Sequence, residues 1–318
     1  MIRVKNALVK FCLIPIIILS VLFSACEVSE NTEEFFASFS VTYIDVGEGD
    51  ATLIKFPDDK VALIDTGANT DENYHKIVNE LSGLGVNDIE WLILTHPDSE
   101  HIGLGERIIE NLTVNNVYLP DVLNESLFPT IRVIKDSLAL NGIEYKVSAW
   151  GEDMSDKDYI FKFLSPFPMI MSESLYLDLN FNNEPTGKQI NNVSAIVYVE
   201  YKGLRFLFTG DAEEEAEKLL ITTAKTGLLD VNFTEIDFLK IGNHGSKNSS
   251  CSEFLEYLKP KNSVISCGDS FNGHPATETL VRIMEANEKC KIYRTDVCGD
   301  IRVGINEQGE YKITNQIK

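Results

Sequence analysis

Apolar residues along the chain recur at strand spacing in short runs and at helical spacing in longer stripes, in two successive sets. The first set opens with "SVTYIDV" (Ser40 to Val46), "ATLIKF" and "VALIDTG", three β-rich runs so closely joined that they predict an antiparallel start. After Asp71, which lies near a cap position, Tyr74, Ile77, Val78, Leu81 and Leu84 share one helical face. "IEWLILT" (Ile89 to Thr95) is almost continuously apolar, as a strand buried on both faces should be. A second helix in "SLFPTIRVIKDSLALNG" and strands near Tyr145 and Phe161 complete the set.

The second set begins with "SAIVYVEY" and "LRFLFTGD", a hairpin turning at Lys202-Gly203. Asp211 is expected to open the next helix, with Ala216, Leu219, Leu220 and Thr223 on one side. "IDFLKIG", a helix near Phe254 to Leu258, "SVISCG", a helix near Thr277 to Ala286 and terminal strands follow. Between the sets, Ser165 to Asn192 is rich in Pro, Asn and Ser and reads as a loop over a site. Two strand-rich halves with interspersed helices predict a layered α/β sandwich built as one domain.

Composition fits that reading. The 318 residues are 44 % hydrophobic and 24 % charged, which excludes a disordered or multi-span membrane chain. The formal charge of −21 excludes binding of nucleic acid through a broad basic face. Residues 1–25 read as a signal peptide: Arg3, Lys5 and Lys10 precede the apolar run Phe11 to Phe23, too short for a membrane span. "LFSAC" resembles a lipoprotein cleavage box, with Cys26 as the lipidation site. The expected location is therefore outside the cytoplasm, lipid-anchored to the outer face of a bacterial cytoplasmic membrane, or else secreted. Residues 26–38 form an acidic tether, and 39–318 the domain. Removing 1–25 takes away three bases and no acid, leaving 25 bases against 49 acids and a charge of −24. Cys251, Cys267, Cys290 and Cys298 match no zinc-finger spacing, and Cys267, inside "SVISC", reads as a buried small hydrophobe.

Five points carry chemistry. "THPDSEH" follows the buried strand and puts four metal-ligand types, His96, Asp98, Glu100 and His101, in six positions. Alternation places the first three on one side of an extended turn, with His101 joining as a helix begins. Asp211 in "FLFTGDAE" is either a helix cap or a bridging carboxylate. His244 in "LKIGNHGSKNSS" ends another buried strand, and Ser246 and Lys247 beside it suit an anion. His274 in "GDSFNGHP" precedes a helix. Asp45, Asp50 and Asp65 sit in turns of the first strands, where Asp45 and Asp65 suit backbone bonding. His75 lies on the polar side of the first helix and reads as surface.

The ordered set "YIDVGEGDATLI", "ALIDTG", "LILTHPDSEHIGLG", "LFTGDAE", "LKIGNHGSKNS" and "GHP" resembles the metallo-β-lactamase superfamily. Within it, the set is similar to the extracellular hydrolase domain of ComEC-type DNA-uptake competence proteins, without their membrane channel segments. The resemblance runs from about Phe39 to the last strands. It implies a four-layer αββα sandwich with a two-metal site along one edge. It further implies that His96 and Asp98 hold one ion and that Glu100 and His101 hold the other. Asp211 bridges, His244 completes the set, and Asp50 and Asp65 support it from behind. His274 becomes a substrate ligand or proton donor at the rim. Asp98, Asp211 and His274 are thereby the catalytic candidates, and Ser246, Lys247 and His274 the substrate-binding ones.

The sequence departs from the family pattern at Glu100, where Asp is usual, at Asn243, where a paired His precedes His244, and at Ala276, where "HPH" is usual. Asn191 to Ser194 stand where many relatives supply a further His. The resulting oxygen-rich site favours Mn²⁺ or a mixed site over a tightly held Zn²⁺ pair. Three readings follow: a metal-dependent phosphodiesterase or nuclease, a hydrolase of another ester, amide or lactam, and a surface lipoprotein weakened in catalysis that acts as a binding module. The acid excess favours short phosphodiester substrates over long DNA held processively. The sequence points to no obligate protein partner.

Overall fold

The computed structural model describes residues 37–122, 125–167, 186–268 and 273–316. The expected signal segment, Cys26 and the expected tether as far as Phe36 lie outside the described residues, as do 168–185 of the loop expected over the site.

The chain opens with β1 (Phe39–Tyr43), β2 (Thr52–Lys55) and β3 (Val61–Ile64), paired antiparallel in succession. Helix α1 (Asp71–Gly83) follows, and Thr70 caps it by accepting the Asn73 N–H at 3.1 Å. Ile77 and Leu81 are its buried positions, flanked by the partly covered Tyr74 and Leu84. Strand β4 (Asp88–Ile93) lies parallel to β3. Its Trp91 and Ile93 face one apolar layer and Leu92 faces another, which explains the unbroken apolar run. Short helices α2 (Ser99–Ile102) and α3 (Gly105–Asn111) lead to β5 (Thr113–Leu119). Helix α4 (Pro129–Asn141) starts at Pro129 and stops at the left-handed Gly142, and β6 (Tyr145–Val147) follows.

The second half contains β7 (Tyr159–Ser165), α5 (Gly187–Asn191), β8 (Ile196–Tyr201), β9 (Leu204–Phe208) and α6 (Glu214–Lys225). Then come β10 (Phe238–Lys240), α7 (Ser252–Leu258), β11 (Asn262–Ile265), α8 (Thr277–Ala286), β12 (Lys291–Arg294) and α9 (Thr295–Cys298). Strands β13 (Ile301–Ile305) and β14 (Tyr311–Asn315) return to the first sheet, where β13 pairs with β1. One sheet has the order β14-β13-β1-β2-β3-β4-β5-β6, the other β12-β11-β10-β9-β8-β7.

Three apolar clusters define four layers. Phe39, Phe56, Trp91, Phe161, Phe206, Phe238 and Val303 fill the space between the sheets, with Phe206 stacked on Phe238 at 4.8 Å. Each such fully buried aromatic contributes about 1.5–3 kcal/mol. Ile77, Leu92, Ile108 and Ile134 join the first sheet to its helices, and Leu207, Leu220, Leu255 and Ile283 join the second sheet to its own. This is an α/β sandwich of four layers, helices outside and sheets inside. Cys267 is fully buried in the second of these layers.

Three local expectations change. Helix α6 begins at Glu214 with Glu213 at its N-cap, so Asp211 sits in the preceding turn and does not open the helix. Its buried face is Ala216, Glu217, Leu220 and Ile221, with Ile221 in place of Thr223. The "PDSEH" segment does not stay extended: Asp98 is the N-cap of α2 and Glu100 is already helical. A carboxylate on a helix faces away from one two residues back, so the alternation that grouped His96, Asp98 and Glu100 fails at its last member.

Candidate metal centre

Strands β3 and β4 run parallel, as do β9, β10 and β11, and the residues just past their C-terminal ends meet at one edge of the sandwich. His96 follows β4, and α2 carries His101 back to the same place. Asp211 follows β9 and His244 follows β10. All four are buried, the histidines from the first sheet completely.

Asp211 Oδ2 is the hub. It lies 3.3 Å from His101 Nε2, 3.4 Å from His244 Nε2 and 3.9 Å from His96 Nε2. His101 Nε2 and His244 Nε2 are 3.3 Å apart, and Asp98 Oδ2 lies 3.6 Å from His96 Nε2. Ligand atoms at about 2.1 Å from a common ion stand about 3.0–3.4 Å from each other, so the spacings among Asp211, His101 and His244 are those of a coordination shell, with His96 and Asp98 slightly farther out. His96 Nε2 and Asp211 Oδ1 are buried without a hydrogen-bond partner. Each such orphan costs about 1–3 kcal/mol, which a bound cation would offset. Three imidazole nitrogens with carboxylate oxygens suit a first-row divalent ion, and the residues present fit one.

The surrounding residues aim these donors. Asp65 accepts the Thr95 N–H at 2.8 Å, the Thr95 hydroxyl at 2.7 Å and the Nδ1–H of His101 at 2.9 Å. His244 Nδ1 donates to the Ser266 carbonyl at 2.9 Å. His96 Nδ1 lies 3.1 Å from the Thr95 hydroxyl, whose proton is already given to Asp65. Each ring is thus held by Nδ1 and presents Nε2 inward. Burial opposes a charge on His101, but Asp211 and Asp65 outweigh it and hold the imidazole well above the ordinary histidine range. Burial likewise opposes the Asp211 carboxylate, but His101, His244 and His96 hold it well below the carboxylate range. A proton at His101 occupies the position an ion would take.

The remaining sequence candidates fall into place unevenly. Asp50 Oδ2 lies 3.6 Å from His101 Nδ1, behind the ring. Asp45 accepts the Gly47 N–H at 3.4 Å, a turn role. Glu100 stands on α2 outside the cluster, and its carboxylate meets the Ser99 hydroxyl at 3.4 Å. Ser246 serves its own turn, accepting the Asn248 N–H at 3.3 Å, and the Lys247 side chain is exposed. Asn243 donates to Glu213 at 3.2 Å, as does Asn191 at 2.9 Å, so both amides point at a buried acid instead of an ion. Ser194 Oγ accepts the Asp211 N–H at 3.0 Å and fixes the hub from behind. His274 lies at the rim, its ring 6.1 Å from that of His244 and its Nδ1 2.8 Å from Glu48 Oε1. His75 is exposed on α1.

Two residues at the centre escaped the sequence reading. Glu48 sits in the β1–β2 turn, and nothing in its spacing links it to His274 across more than two hundred residues. Lys240 left a signal: it is the charge at the end of the apolar run "IDFLK", and a lysine in a buried strand needs a partner. It is buried and ion-paired with Asp50, donates to the Gly210 carbonyl at 2.9 Å and lies 3.8 Å from Asp211 Oδ1.

A family model described as the metallo-beta-lactamase superfamily matches residues 44–130. ComE operon protein 3 of Bacillus subtilis is 26 % identical over 277 residues, covering 82 % of this chain and 32 % of its own. Recombination protein 2 of Haemophilus influenzae is 27 % identical over 273 residues, covering 84 % of this chain and 29 % of its own. The chain thus spans about a third of the length of the curated relatives it matches. Among solved structures, the metallo-beta-lactamase fold protein YhfI of Bacillus subtilis superposes with a TM-score of 0.51 at 8 % identity, over 86 % of this chain and 99 % of that one. Motif order, four-layer architecture and these similarities agree: the chain has the metallo-β-lactamase fold, residues 44–130 match that superfamily's model, and the curated proteins it resembles over most of its length are ComEC-type competence proteins.

Proposed function

We propose that the protein is a metal-dependent hydrolase, with His96, Asp98, His101, Asp211 and His244 as the ligand set and a phosphodiester, short nucleic acid included, as the substrate class. One observation carries this reading: Asp211 Oδ2 gathers three inward-facing imidazole nitrogens whose outer nitrogens are all held. Zn²⁺ or Mn²⁺ held by these residues would supply Lewis acidity and acidify a water enough for attack near neutral pH. The chain's own residues do the rest. Asp65, Thr95 and Ser266 orient the rings, and Asp211 holds its carboxylate ionised between them. His274 stands at the rim, placed to pass a proton to the departing oxygen. The location proposed for this activity is the outer cell surface, through a lipid on Cys26, with secretion as the alternative.

The test is titration of the protein with Mn²⁺ and with Zn²⁺, followed by assays on a simple diester, short DNA, a carboxylic ester and a lactam. Metal-stimulated diester cleavage that Asp211→Ala abolishes is the expected result. Cleavage of the ester or lactam alone shifts the substrate class. Metal uptake with no cleavage of any substrate leaves a binding module, and no uptake at all ends the metal reading.

A further inference from the structure

Asp50, Asp65 and His101 offer donor atoms that all lie within 4.8 Å of one another, a second buried group that by residue type alone could hold an ion. We propose that no ion binds there because Lys240 is the resident cation: its ammonium neutralises Asp50 and leaves Asp211 to the histidine-held metal. This rests on the reading of the Asp211 cluster as a metal site.

The geometry is specific. The Lys240 side chain is 3 % exposed and that of Asp50 5 %. The ammonium pairs with Asp50 Oδ2 and donates to the Gly210 carbonyl at 2.9 Å, one residue before Asp211. It stands 3.8 Å from Asp211 Oδ1, while the histidines crowd Asp211 Oδ2. Asp211 therefore has a fixed cation 3.8 Å from one oxygen and the imidazole nitrogens around the other. Asp65 is already engaged by Thr95 and His101.

The charges make opposite predictions for the two partners. Without the Asp50 charge, the bare ammonium turns to Asp211 and repels a divalent ion. Without the ammonium, Asp50 becomes an unpaired carboxylate 3.6 Å from His101 Nδ1 and 4.0 Å from His244 Nδ1, open to a further cation. A purely structural pair would lower metal affinity whichever partner is removed.

The measurement is Mn²⁺ binding to the full chain by equilibrium dialysis, with no activity readout. Asp50→Asn weakens binding more than about tenfold. Lys240→Met tightens it or adds one equivalent of Mn²⁺ per chain, and the double variant returns to within about threefold of wild type. Both single variants weakening Mn²⁺ alike, or a double variant as weak as Asp50→Asn, overturns the proposal. Melting in EDTA gives a second arm. Each single variant lowers the midpoint by roughly 10 °C and the double by much less. Additive losses overturn the pairing even if wild type takes up no Mn²⁺, a result that by itself would overturn only the metal reading. Where Lys240→Met does not fold, the near-isosteric Asp50→Asn, alone and combined with Lys240→Gln, decides.

Discussion

Glu48 ties two sheets together through one carboxylate: Oε1 lies 2.8 Å from His274 Nδ1, and Oε2 accepts the Gly268 N–H at 3.2 Å. The β1–β2 turn is thereby fastened to the segment between β11 and α8, and the His274 ring is fixed at Nδ1. Glu48→Gln keeps an acceptor for Gly268 and removes the charge beside the imidazole. We expect kcat for diester cleavage to fall about 10–100-fold while KM changes by less than about threefold. Steady-state kinetics on the variant check this; a rise in KM with kcat intact would make Glu48 a binding residue instead.

Asp65 is buried and engaged by three donors, one of them His101. Asp65→Asn must present an amide N–H where one of these donors now points. Mn²⁺ affinity should drop about 10–100-fold, the usual effect of removing the outer partner of a metal-bound histidine. Titration of the variant with Mn²⁺ would show an unchanged constant if the His101 orientation does not depend on Asp65.

Glu217 tests the fold away from the centre. It is fully buried on α6 and accepts the Ser250 and Cys251 N–H groups at 2.5 and 2.8 Å, yet burial outweighs these bonds and pushes its carboxyl up to about 7. The folded state therefore holds the proton more tightly than the unfolded one. This stability is complete below about pH 4.5, the unfolded value, and is lost as pH rises toward 7, a total of about 3 kcal/mol. Glu217→Gln should flatten the fall of the melting midpoint between pH 5 and pH 8. A wild-type midpoint independent of pH across that range would contradict the assignment.

Gly49 has φ +146, and a Cβ built there would lie 2.3 Å from the Glu100 carbonyl oxygen. The β1–β2 turn therefore packs directly on the backbone of the helix that carries His101. Gly49→Ala adds both a strained dihedral and a clash with main chain, and should cost about 2–4 kcal/mol in stability. Chemical denaturation measures that, and Mn²⁺ titration of the folded fraction should show weaker binding because α2 is displaced.

The architecture was readable from the chain because each element announces itself locally. "IEWLILT" is apolar on both faces since it is a central strand with an apolar layer on either side, and "FPT…LNG" carries its own start and stop. The clustered residues His96, Asp211 and His244 are readable because each follows such a strand, and His101 because it stands five residues after His96. What failed were features set by tertiary placement. Glu100 was grouped with His96 by alternation, which a helix beginning at Ser99 cancels. Asp211 does not open the helix, because two residues separate it from Glu214. Asn243 and Asn191 stand at ligand-bearing places, yet Glu213, whose burial no local pattern foretells, claims both amides.

The donor set has one more consequence. His101 and His244 meet across 143 residues of chain and come from different sheets. An unfolded chain offers only the short His96–His101 stretch, with no hub carboxylate and no third imidazole. For the proposed metal centre, ion capture would wait until the halves have docked, and the ion's affinity would gauge how completely the sandwich has closed. A variant that loosens the contact between sheets should release its metal well before it loses its helices.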